Sequence, residues 1–346
     1  MMLLYTQCEF DRLHDRSQQY KTVISAVRRS RDWIHTKNYQ YLLNNKEVCK
    51  RETKGDLFLI VLINSKPTGI KRRRLIRRTW GSTKTVNGTE IRTVYIMGRS
   101  NDTNTQRKLQ EEQAQYGDLV QIDFHDSYDN LTVKTVMGLR WASTFCRRAK
   151  FVMKTDDDMF VNYMNLVKYL KALPLQKQKM LYVGNSERDL TPIRKGKLKK
   201  AAKWEISLEE YAGDKYPPYC SGSGFVLSMP ATKTIYQTSK TTRFFRMEDV
   251  FIGICANKSG VPASHYIGFG AYWYAYSDCR FRFLITVHRL SASEMTKYWR
   301  RVNHPHHPRK CPTKELLIEW YDYDDEDILN DVIQSENASY YYEYVL

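Results

Sequence analysis

The chain has 346 residues, of which 42% are hydrophobic and 27% are charged, and its net charge is +17 at pH 7. These proportions are close to the average of folded proteins and exclude disorder along the whole chain. No window approaches roughly 18 consecutive apolar residues, so we expect no membrane-spanning helix within it. The positive charge favours anionic partners such as nucleotides, phosphates, acidic glycans or acidic lipid head groups, without choosing among them.

The predicted elements alternate between strands and helices in the middle of the chain. Residues 1–53 are polar, mixed in charge and weakly periodic, which predicts a stem or N-terminal tail. A folded domain is predicted over 54–315, and an acidic, Tyr-rich C-terminal tail over 316–346. Within the domain, apolar patterning predicts strands over 57–63, 93–98, 119–124 and 151–155, and helices over 72–80, 105–116 and 131–149.

This alternation predicts an α/β fold with a mainly parallel sheet. Ligands of open α/β sheets bind beyond the carboxyl ends of the strands. The strand over 151–155 ends in Asp156, Asp157 and Asp158, so this acidic triplet lies where a ligand is expected. Beyond it the pattern is less regular, with further strands predicted over 222–228 and 281–288.

Seven cysteines are scattered along the chain without a CxxC pair or a metal-finger spacing. They are either buried thiols, or they form two or three disulfides in an oxidising compartment. Five sequons favour the second interpretation, because such acceptor sites are glycosylated in the secretory pathway. These sequons begin at Asn87, Asn101, Asn130, Asn257 and Asn337.

The strongest local signal is the segment Lys154–Phe160, in which three carboxylates adjoin. Adjacent carboxylates repel one another, and a divalent cation offsets that repulsion. Mn²⁺ and Mg²⁺ take hard oxygen ligands and leave positions open for substrate phosphates. Because side chains of an extended segment alternate in direction, Asp156 and Asp158 can converge on one ion. The alternative is a solvated acidic turn.

Two further segments combine small or acidic residues with an apolar run. Gly222 and Gly224 precede a predicted strand, where they either let the backbone approach a ligand or form a turn. Glu248 and Asp249 open a helix-like run. They either complement the dipole of that helix or include a general base that faces the site.

Basic, histidine and aromatic residues provide weaker signals. The segment 71–80 holds six basic residues in ten, which indicates a phosphate-binding or nucleic-acid patch, and 194–203 is predicted to be a basic surface loop. His288 closes a predicted strand and is either a metal ligand or structural. The aromatic residues of loop 272–276 either stack on sugar or base faces or pack against the domain.

Taken in order, these segments resemble the β-1,3-glycosyltransferase family, which includes β-1,3-galactosyltransferases and β-1,3-N-acetylglucosaminyltransferases. Two residues depart from the family pattern, because Ser223 stands where a third glycine is expected and Phe225 where Tyr is more usual. The resemblance extends from Leu57 to Trp299 and is carried by five motifs in the family's order, at 72–81, 126–135, 154–160, 216–228 and 248–250.

The resemblance implies a GT-A fold, with a mixed, mainly parallel, Rossmann-like sheet flanked by helices, and makes 54–315 a glycosyltransferase catalytic domain. It implies inverting transfer of galactose or an N-acetylhexosamine from a UDP-sugar to the 3-hydroxyl of an acceptor glycan on a glycoprotein or glycolipid. Asp249 would be the general base, and Mn²⁺ would be held by Asp158, Asp156 and His288. The nucleotide end would be supported by residues that contact phosphate or position the loop, namely Arg72, Arg73, Arg77, Asp156 and Asp157.

The resemblance also implies a location on the lumenal side of the Golgi membrane. Family members usually carry an N-terminal transmembrane anchor, and this chain shows none. The alternative function is a non-catalytic sugar- or nucleotide-binding protein on the same fold, which would lack the base that Asp249 supplies. A nucleic-acid partner is not expected, because the strands, sequons and acidic triplet do not fit one. A metal-dependent phosphodiesterase would instead use Glu248 and Asp249 to complete a two-metal cluster.

Overall fold

The computed structural model describes residues 38–49, 57–194 and 203–304. Its strands are β1 (Tyr41–Leu43), β2 (Leu59–Asn64), β3 (Thr85–Val86), β4 (Thr89–Arg99), β5 (Leu119–His125), β6 (Phe151–Asp156), β7 (Met159–Val161), β8 (Tyr182–Glu187), β9 (Tyr219–Ser228), β10 (Ser264–His265) and β11 (Thr286–His288). Its helices are α1 (Ile70–Arg78), α2 (Thr103–Tyr116), α3 (Leu131–Phe145), α4 (Tyr163–Ala172), α5 (Leu175–Lys179), α6 (Met229–Ser239), α7 (Glu248–Lys258) and α8 (Ala292–Asn303).

Nine of these strands form one sheet, in the order β1-β5-β4-β2-β6-β9-β8-β10 with β3 paired to β4. The central strands β5, β4, β2 and β6 are mutually parallel, whereas β9 runs antiparallel to both β6 and β8. Strands β7 and β11 form a separate antiparallel pair. The predicted α/β fold, with a mixed and mainly parallel sheet, is confirmed.

The core fills both faces of this sheet, which explains the continuous apolar run of β2. Successive side chains of a strand point to opposite faces. Ile60 and Leu62 accordingly pack in one hydrophobic cluster with residues of α3, α6 and α7, while Val61 and Ile63 pack in the other with residues of α1, α4 and α8. Helices therefore flank the sheet on both sides, as strands buried on both faces require.

The ordered domain begins earlier than the sequence predicts. Strand β1 lies within the segment assigned to the stem, yet it pairs antiparallel with β5. Trp141 of α3 donates its indole N–H to Asn44 Oδ1 at 2.7 Å, which fixes this segment against the domain. The polar composition of 38–49 does not predict the contacts with β5 and Trp141, because these partners lie about a hundred residues away in the chain. Residues 1–37 and 305–346, which include the predicted C-terminal tail, lie outside the described residues.

The strand predicted over 281–288 is wrong for most of its length. Only Thr286–His288 forms a strand, and Arg280–Arg282 forms a 3-10 turn. Asn165 explains the difference, because its side-chain amide donates to the carbonyl oxygens of Phe281 at 3.0 Å and Leu284 at 2.8 Å. These carbonyls are thus satisfied without a neighbouring strand.

The cysteines follow both interpretations that the sequence left open. Cys49 and Cys146 form a disulfide that joins the N-terminal segment to the end of α3, and Cys279 is also disulfide-bonded. Cys220 and Cys255 are buried free thiols. In the parts of the chain that the structure describes, no helix has the length and apolar character needed to cross a bilayer.

We expect removal of the Cys49–Cys146 disulfide to destabilise the domain, because the bridge closes a sequence separation of 97 residues. The variant Cys49→Ser/Cys146→Ser should lose about 2–4 kcal/mol of unfolding free energy in urea titrations without reductant. Peptide mapping of the wild type under non-reducing conditions provides the control, since it must recover the two cysteines in one linked peptide. Equal urea midpoints for the two proteins would contradict the expectation.

Candidate active site

The acidic triplet lies at the carboxyl end of β6, in the middle of the sheet. In the ladders, Asp156 pairs with Asn64 of β2, and Thr155 pairs with Gly224 of β9. The backbone N–H of Asp157 donates to the Asn64 carbonyl at 3.1 Å, which holds the triplet against the end of β2. Backbone pairing therefore holds the triplet at the carboxyl ends of the central strands, and it is not a free acidic turn.

Asp157 faces the loop that follows β2. The hydroxyl of Ser65 donates to Asp157 Oδ2 at 2.7 Å, and Arg72 Nε lies 4.0 Å from Oδ1. Burial raises the pKa of Asp157, and the Ser65 hydrogen bond and the Arg72 charge partly oppose that rise. Since the Arg72 side chain is 51% exposed, it is available to an anionic ligand beside the triplet.

Arg73 is fully buried and is engaged entirely within the protein. Its Nε and Nη2 donate to the two oxygens of Glu112 at 2.8 and 2.7 Å. Its Nη1 donates to Ser65 Oγ at 3.1 Å and to the Lys66 carbonyl at 2.6 Å. Of the two roles that the sequence left open, this geometry favours positioning of the loop over direct contact with phosphate.

Arg77 is held in the same way. Its Nε and Nη2 fork onto Asp118 at 2.8 and 2.7 Å, and Nη2 also lies 2.8 Å from Glu112. Burial alone would raise the pKa of Glu112, but Arg73 and Arg77 hold it below its ordinary value. Arg77 therefore supports the helix that carries Arg72 through contacts within the protein.

Lys154 joins the triplet to the other acidic pair. Its side chain is 1% exposed, and its ammonium lies 3.0 Å from Asp156 Oδ1 and 3.3 Å from Glu248 Oε1. It also donates to the Gly222 carbonyl at 2.5 Å. Burial raises the pKa of Asp156 while Lys154 opposes that rise. One buried cation thus fixes the distance between β6, β9 and the start of α7.

Gly222 is where β9 meets the acidic pair of α7. Its N–H donates to Asp249 Oδ2 at 3.2 Å, and a Cβ added at this position would lie 2.7 Å from Glu248 Oε2. A side chain would therefore displace Glu248, which is why glycine stands here. Asp249 is only partly buried, and its Oδ1 accepts the N–H of Val250 at 2.9 Å, so one carboxylate is oriented by two backbone donors.

Asp158 and His288 face each other across the β7–β11 pair. His288 Nε2 lies 3.6 Å from Asp158 Oδ1, and His288 Nδ1 lies 3.0 Å from the Ala271 carbonyl oxygen. Burial alone would lower the pKa of His288, but the contact with Asp158 raises it. Burial alone would raise the pKa of Asp158, but His288 holds it below its ordinary value.

The Asp158–His288 pair fits a divalent cation that also binds substrate. Two ligands of one ion, with bonds of about 2.1 Å, lie roughly 3–4 Å apart. With Nδ1 bonded to a carbonyl, Nε2 is the nitrogen left for a metal. Within 38–49, 57–194 and 203–304, no group of three or more His, Cys, Asp or Glu could hold a metal by itself. Water or substrate oxygens would supply the further ligands.

Several residues that shape the site escaped sequence reasoning. Ser65 and Glu112 carried no local signal, because their role depends on Arg73 at another place in the chain. Lys134, which resemblance placed in a motif, is buried and donates to the Ser65 carbonyl at 2.9 Å and to Asp126 Oδ1 at 3.1 Å, a structural role. Lys154, a lysine next to the acidic triplet, is the one sequence signal that could have indicated that the triplet and the Glu248–Asp249 pair belong to one site.

Comparison with known proteins gives one family match and several similar chains. The family model described as Galactosyltransferase matches residues 71–266. The chain is 37% identical over 276 residues to Beta-1,3-galactosyltransferase 1 of Mus musculus and of Homo sapiens, which covers 80% of this chain and 82% of theirs. It is 36% identical over 275 residues to Beta-1,3-galactosyltransferase 2 of Homo sapiens, covering 78% of this chain and 64% of that relative.

Among solved structures, the chain is similar to galactosyltransferase LgtC in complex with donor and acceptor sugar analogs. The identity is 11% and the TM-score is 0.36, with 75% of this chain and 99% of that chain covered. The family match includes the acidic triplet, Gly222 and Asp249, whereas Tyr272 and His288 lie beyond its C-terminal end.

Glu248 makes the stability of the domain depend on pH. Burial raises its pKa from 4.5 to about 7, with Asp249 and Asp156 adding to the rise and Lys154 opposing it. The folded state therefore holds this proton more tightly than the unfolded chain, and the stability so gained is lost as pH rises through about 7. Glu248→Gln should flatten the fall in unfolding free energy between pH 5 and pH 8 by on the order of 1–3 kcal/mol.

Urea titrations at the two pH values measure this difference directly. The exposed Glu209→Gln is the matched control and should keep the wild-type slope. If the unfolding free energy of Glu248→Gln depended on pH as that of the wild type does, the pKa of Glu248 would not differ between the folded and unfolded states.

Proposed function

Because the chain belongs to the galactosyltransferase family of β-1,3-glycosyltransferases, it is a glycosyltransferase, and we propose that it moves galactose or an N-acetylhexosamine from a UDP-sugar, with inversion, to the 3-hydroxyl of an acceptor glycan. The observation that supports this proposal is the grouping of two acidic clusters about one buried cation. Lys154 contacts both Asp156 and Glu248, so the Asp158 side and the Asp249 side belong to one site.

The donor diphosphate belongs on the side of the triplet. Asp158 and His288 would hold Mn²⁺, and Asp156, which is paired with Lys154, adds negative charge beside them. When bound, the ion offsets the negative charge that develops on the departing diphosphate. Arg72 is the exposed cation beside Asp157 and is suited to the nucleotide end, while Arg73 and Arg77 keep its loop and helix in place.

Asp249 belongs on the acceptor side. In an inverting transfer, the acceptor 3-oxygen attacks C1 of the donor sugar while the bond between C1 and the phosphate oxygen breaks, and its electron pair leaves with UDP. The hydroxyl proton passes to a carboxylate oxygen of Asp249, which acts as the general base. The N–H groups of Gly222 and Val250 hold this carboxylate in one orientation, so less ordering is required at each turnover.

The expected setting is the lumenal side of the Golgi membrane, with glycoproteins or glycolipids as acceptors. The disulfide between Cys49 and Cys146 supports an oxidising compartment, because such bonds are rare where thiols are kept reduced. Membrane association is expected from the family resemblance and is part of the proposal. No nucleic-acid partner is proposed.

A donor screen tests the proposed reaction. UDP release should be stimulated by a sugar acceptor with one of UDP-galactose, UDP-N-acetylglucosamine or UDP-N-acetylgalactosamine in the presence of Mn²⁺. It should fall to background with a chelator and return when Mn²⁺ is restored in excess. Full activity in chelator would overturn the metal assignment, and binding of UDP-sugar without any turnover would favour the non-catalytic alternative.

Two variants separate the metal side from the base side. Asp158→Ala should abolish transfer and Mn²⁺-dependent UDP binding, because it removes a charge that attracts the cation. Asp249→Asn should leave UDP binding near that of the wild type and lower the turnover by about 10²–10⁴-fold. Calorimetric titration with UDP and Mn²⁺, together with rate assays, measures both properties.

Each variant is the control for the other, since one acidic side chain is lost in both. Turnover of Asp249→Asn within tenfold of the wild type would remove Asp249 from the role of base. Unchanged Mn²⁺-dependent UDP binding in Asp158→Ala would remove Asp158 from the metal site.

A further inference from the structure

The exposed side of α1 carries basic residues that the proposed function does not use. Lys71, Arg74 and Arg78 are exposed and lie three and four residues apart, so they form one stripe along the helix. The opposite side of the helix faces the core, since Arg73 and Ile76 are fully buried. Helix α1 contains no acidic residue, so nothing on the helix itself offsets the charge of the stripe.

Helix α8 extends this basic surface. It packs against α1, and its Lys297 and Arg300 are exposed and lie one turn apart. Glu294 is the one acidic residue of α8, and its side chain is engaged in the capping box at the start of the helix. The five exposed cations of the two helices are called the basic face here, and they are Lys71, Arg74, Arg78, Lys297 and Arg300.

The basic face has no partner in the described part of the chain. None of its five side chains makes a hydrogen bond or an ion pair with residues 38–49, 57–194 or 203–304. Other surface cations are paired, since Arg107 Nη1 lies 2.5 Å from Glu111 Oε1 and Lys215 Nζ lies 2.8 Å from Asp189 Oδ1. Cations gathered on one surface repel one another, and a negatively charged partner relieves that repulsion.

The chain itself contains a segment of the opposite charge. Residues 316–346 include nine acidic residues and no Lys or Arg, and five of the six residues over 322–327 are acidic. This segment lies outside the described residues and follows α8, which ends at Asn303. The 19 residues from Asn303 to Asp322 can span up to about 60 Å, whereas α8 is about 18 Å long. The length of the chain therefore allows 322–327 to reach the whole basic face.

We propose that the acidic segment 322–327 docks on the basic face of α1 and α8 in the same molecule. One exposed ion pair contributes little to stability, because its charges remain well solvated. Several pairs form together here, and a segment joined by a short linker has an effective concentration on the order of millimolar. A separate polyanion has to compete with that concentration, which favours the chain's own segment as the occupant.

The docked segment shields the basic face from anions in solution. The net charge of the chain is +17, and such a charge attracts acidic glycans and other polyanions without selectivity. An intramolecular acidic partner neutralises part of this charge where α1 and α8 present it. This inference goes beyond the proposed transfer reaction and does not depend on it.

Zero-length cross-linking of the full chain tests the contact. A carbodiimide joins a lysine amine to a carboxylate, with loss of water, only where the two groups touch. Lys71 and Lys297 should be linked to peptides that contain 322–327. The yield should fall about fivefold or more in about 1 M NaCl, where the Debye length is about 3 Å. Lys233 is exposed on α6, which packs on the other face of the sheet, and should give no such link.

Charge reversal on α1 tests the identity of the docking surface. Arg74→Glu/Arg78→Glu keeps Lys71 and Lys297 and should lower the yield of both links about fivefold or more, because like charges then face each other. Lys233→Glu/Lys240→Glu changes the charge equally at exposed positions of α6 and is the matched control, which should keep the wild-type yield. Where urea titration shows that the reversal impairs folding, Arg74→Gln/Arg78→Gln should give a smaller fall in the same direction.

Isotope labelling separates one molecule from two. Labelled and unlabelled chains are mixed before the reaction, and links within a single isotope support the proposal. Links between labelled and unlabelled peptides would assign the basic face to a second copy and overturn it. Absence of links at Lys71 and Lys297, equal yield at Lys233, or an unchanged yield in the folded Arg74→Glu/Arg78→Glu also overturns it.

Heparin is the probe of a separate polyanion. If heparin binds the wild type, Arg74→Glu/Arg78→Glu abolishes that binding and no link to 322–327 is found, the basic face belongs to a partner in solution and the proposal is wrong. If the proposal is correct, neutral replacement of the five acidic residues over 322–327 raises the affinity for heparin, and most of that gain is lost when Arg74→Glu/Arg78→Glu is added.

Discussion

The buried ammonium of Lys154 is the interaction on which the site depends. Three acidic side chains, Asp156, Glu248 and Asp249, contribute to its raised pKa, although burial alone would lower it. Taking a charge out of water costs several kcal/mol unless partners of opposite sign are well placed. The strands β6 and β9 and the helix α7 must therefore bring those partners to one point. The fold and the site are stabilised by the same contact.

A second buried network holds the opposite side of the triplet. Arg73 connects Glu112 of α2 to the hydroxyl of Ser65, and that hydroxyl in turn donates to Asp157. Because every link in this chain is a hydrogen bond to a charged group, each is among the stronger kinds of polar contact. The triplet is thus fixed from both sides, and its central acid is oriented before any ligand arrives.

The sequence predicts the elements of the first half of the domain well, since β2, β4, β5, β6, α2 and α3 follow local periodicity. It also places the acidic triplet at a strand end. It cannot predict that Arg73 turns inward to Glu112, because an arginine among five other basic residues carries no mark of burial. The strand predicted over 281–288 misses the 3-10 turn at Arg280–Arg282, because the carbonyl of Phe281 accepts from the side-chain amide of Asn165, which lies 116 residues away in the chain.

These contacts divide the site into a fixed interior and an adjustable rim. Replacing Lys154 would leave the buried Glu248 without its cation, and replacing Arg73 would leave the buried Glu112 with Arg77 as its remaining charged partner, so both changes weaken the fold itself. Arg72 and Tyr272 are exposed at the surface of the domain, where a different side chain has little consequence for folding. The contacts that fix the geometry of the triplet therefore belong to the interior of the domain. A side chain at the rim can therefore be exchanged without rebuilding this core.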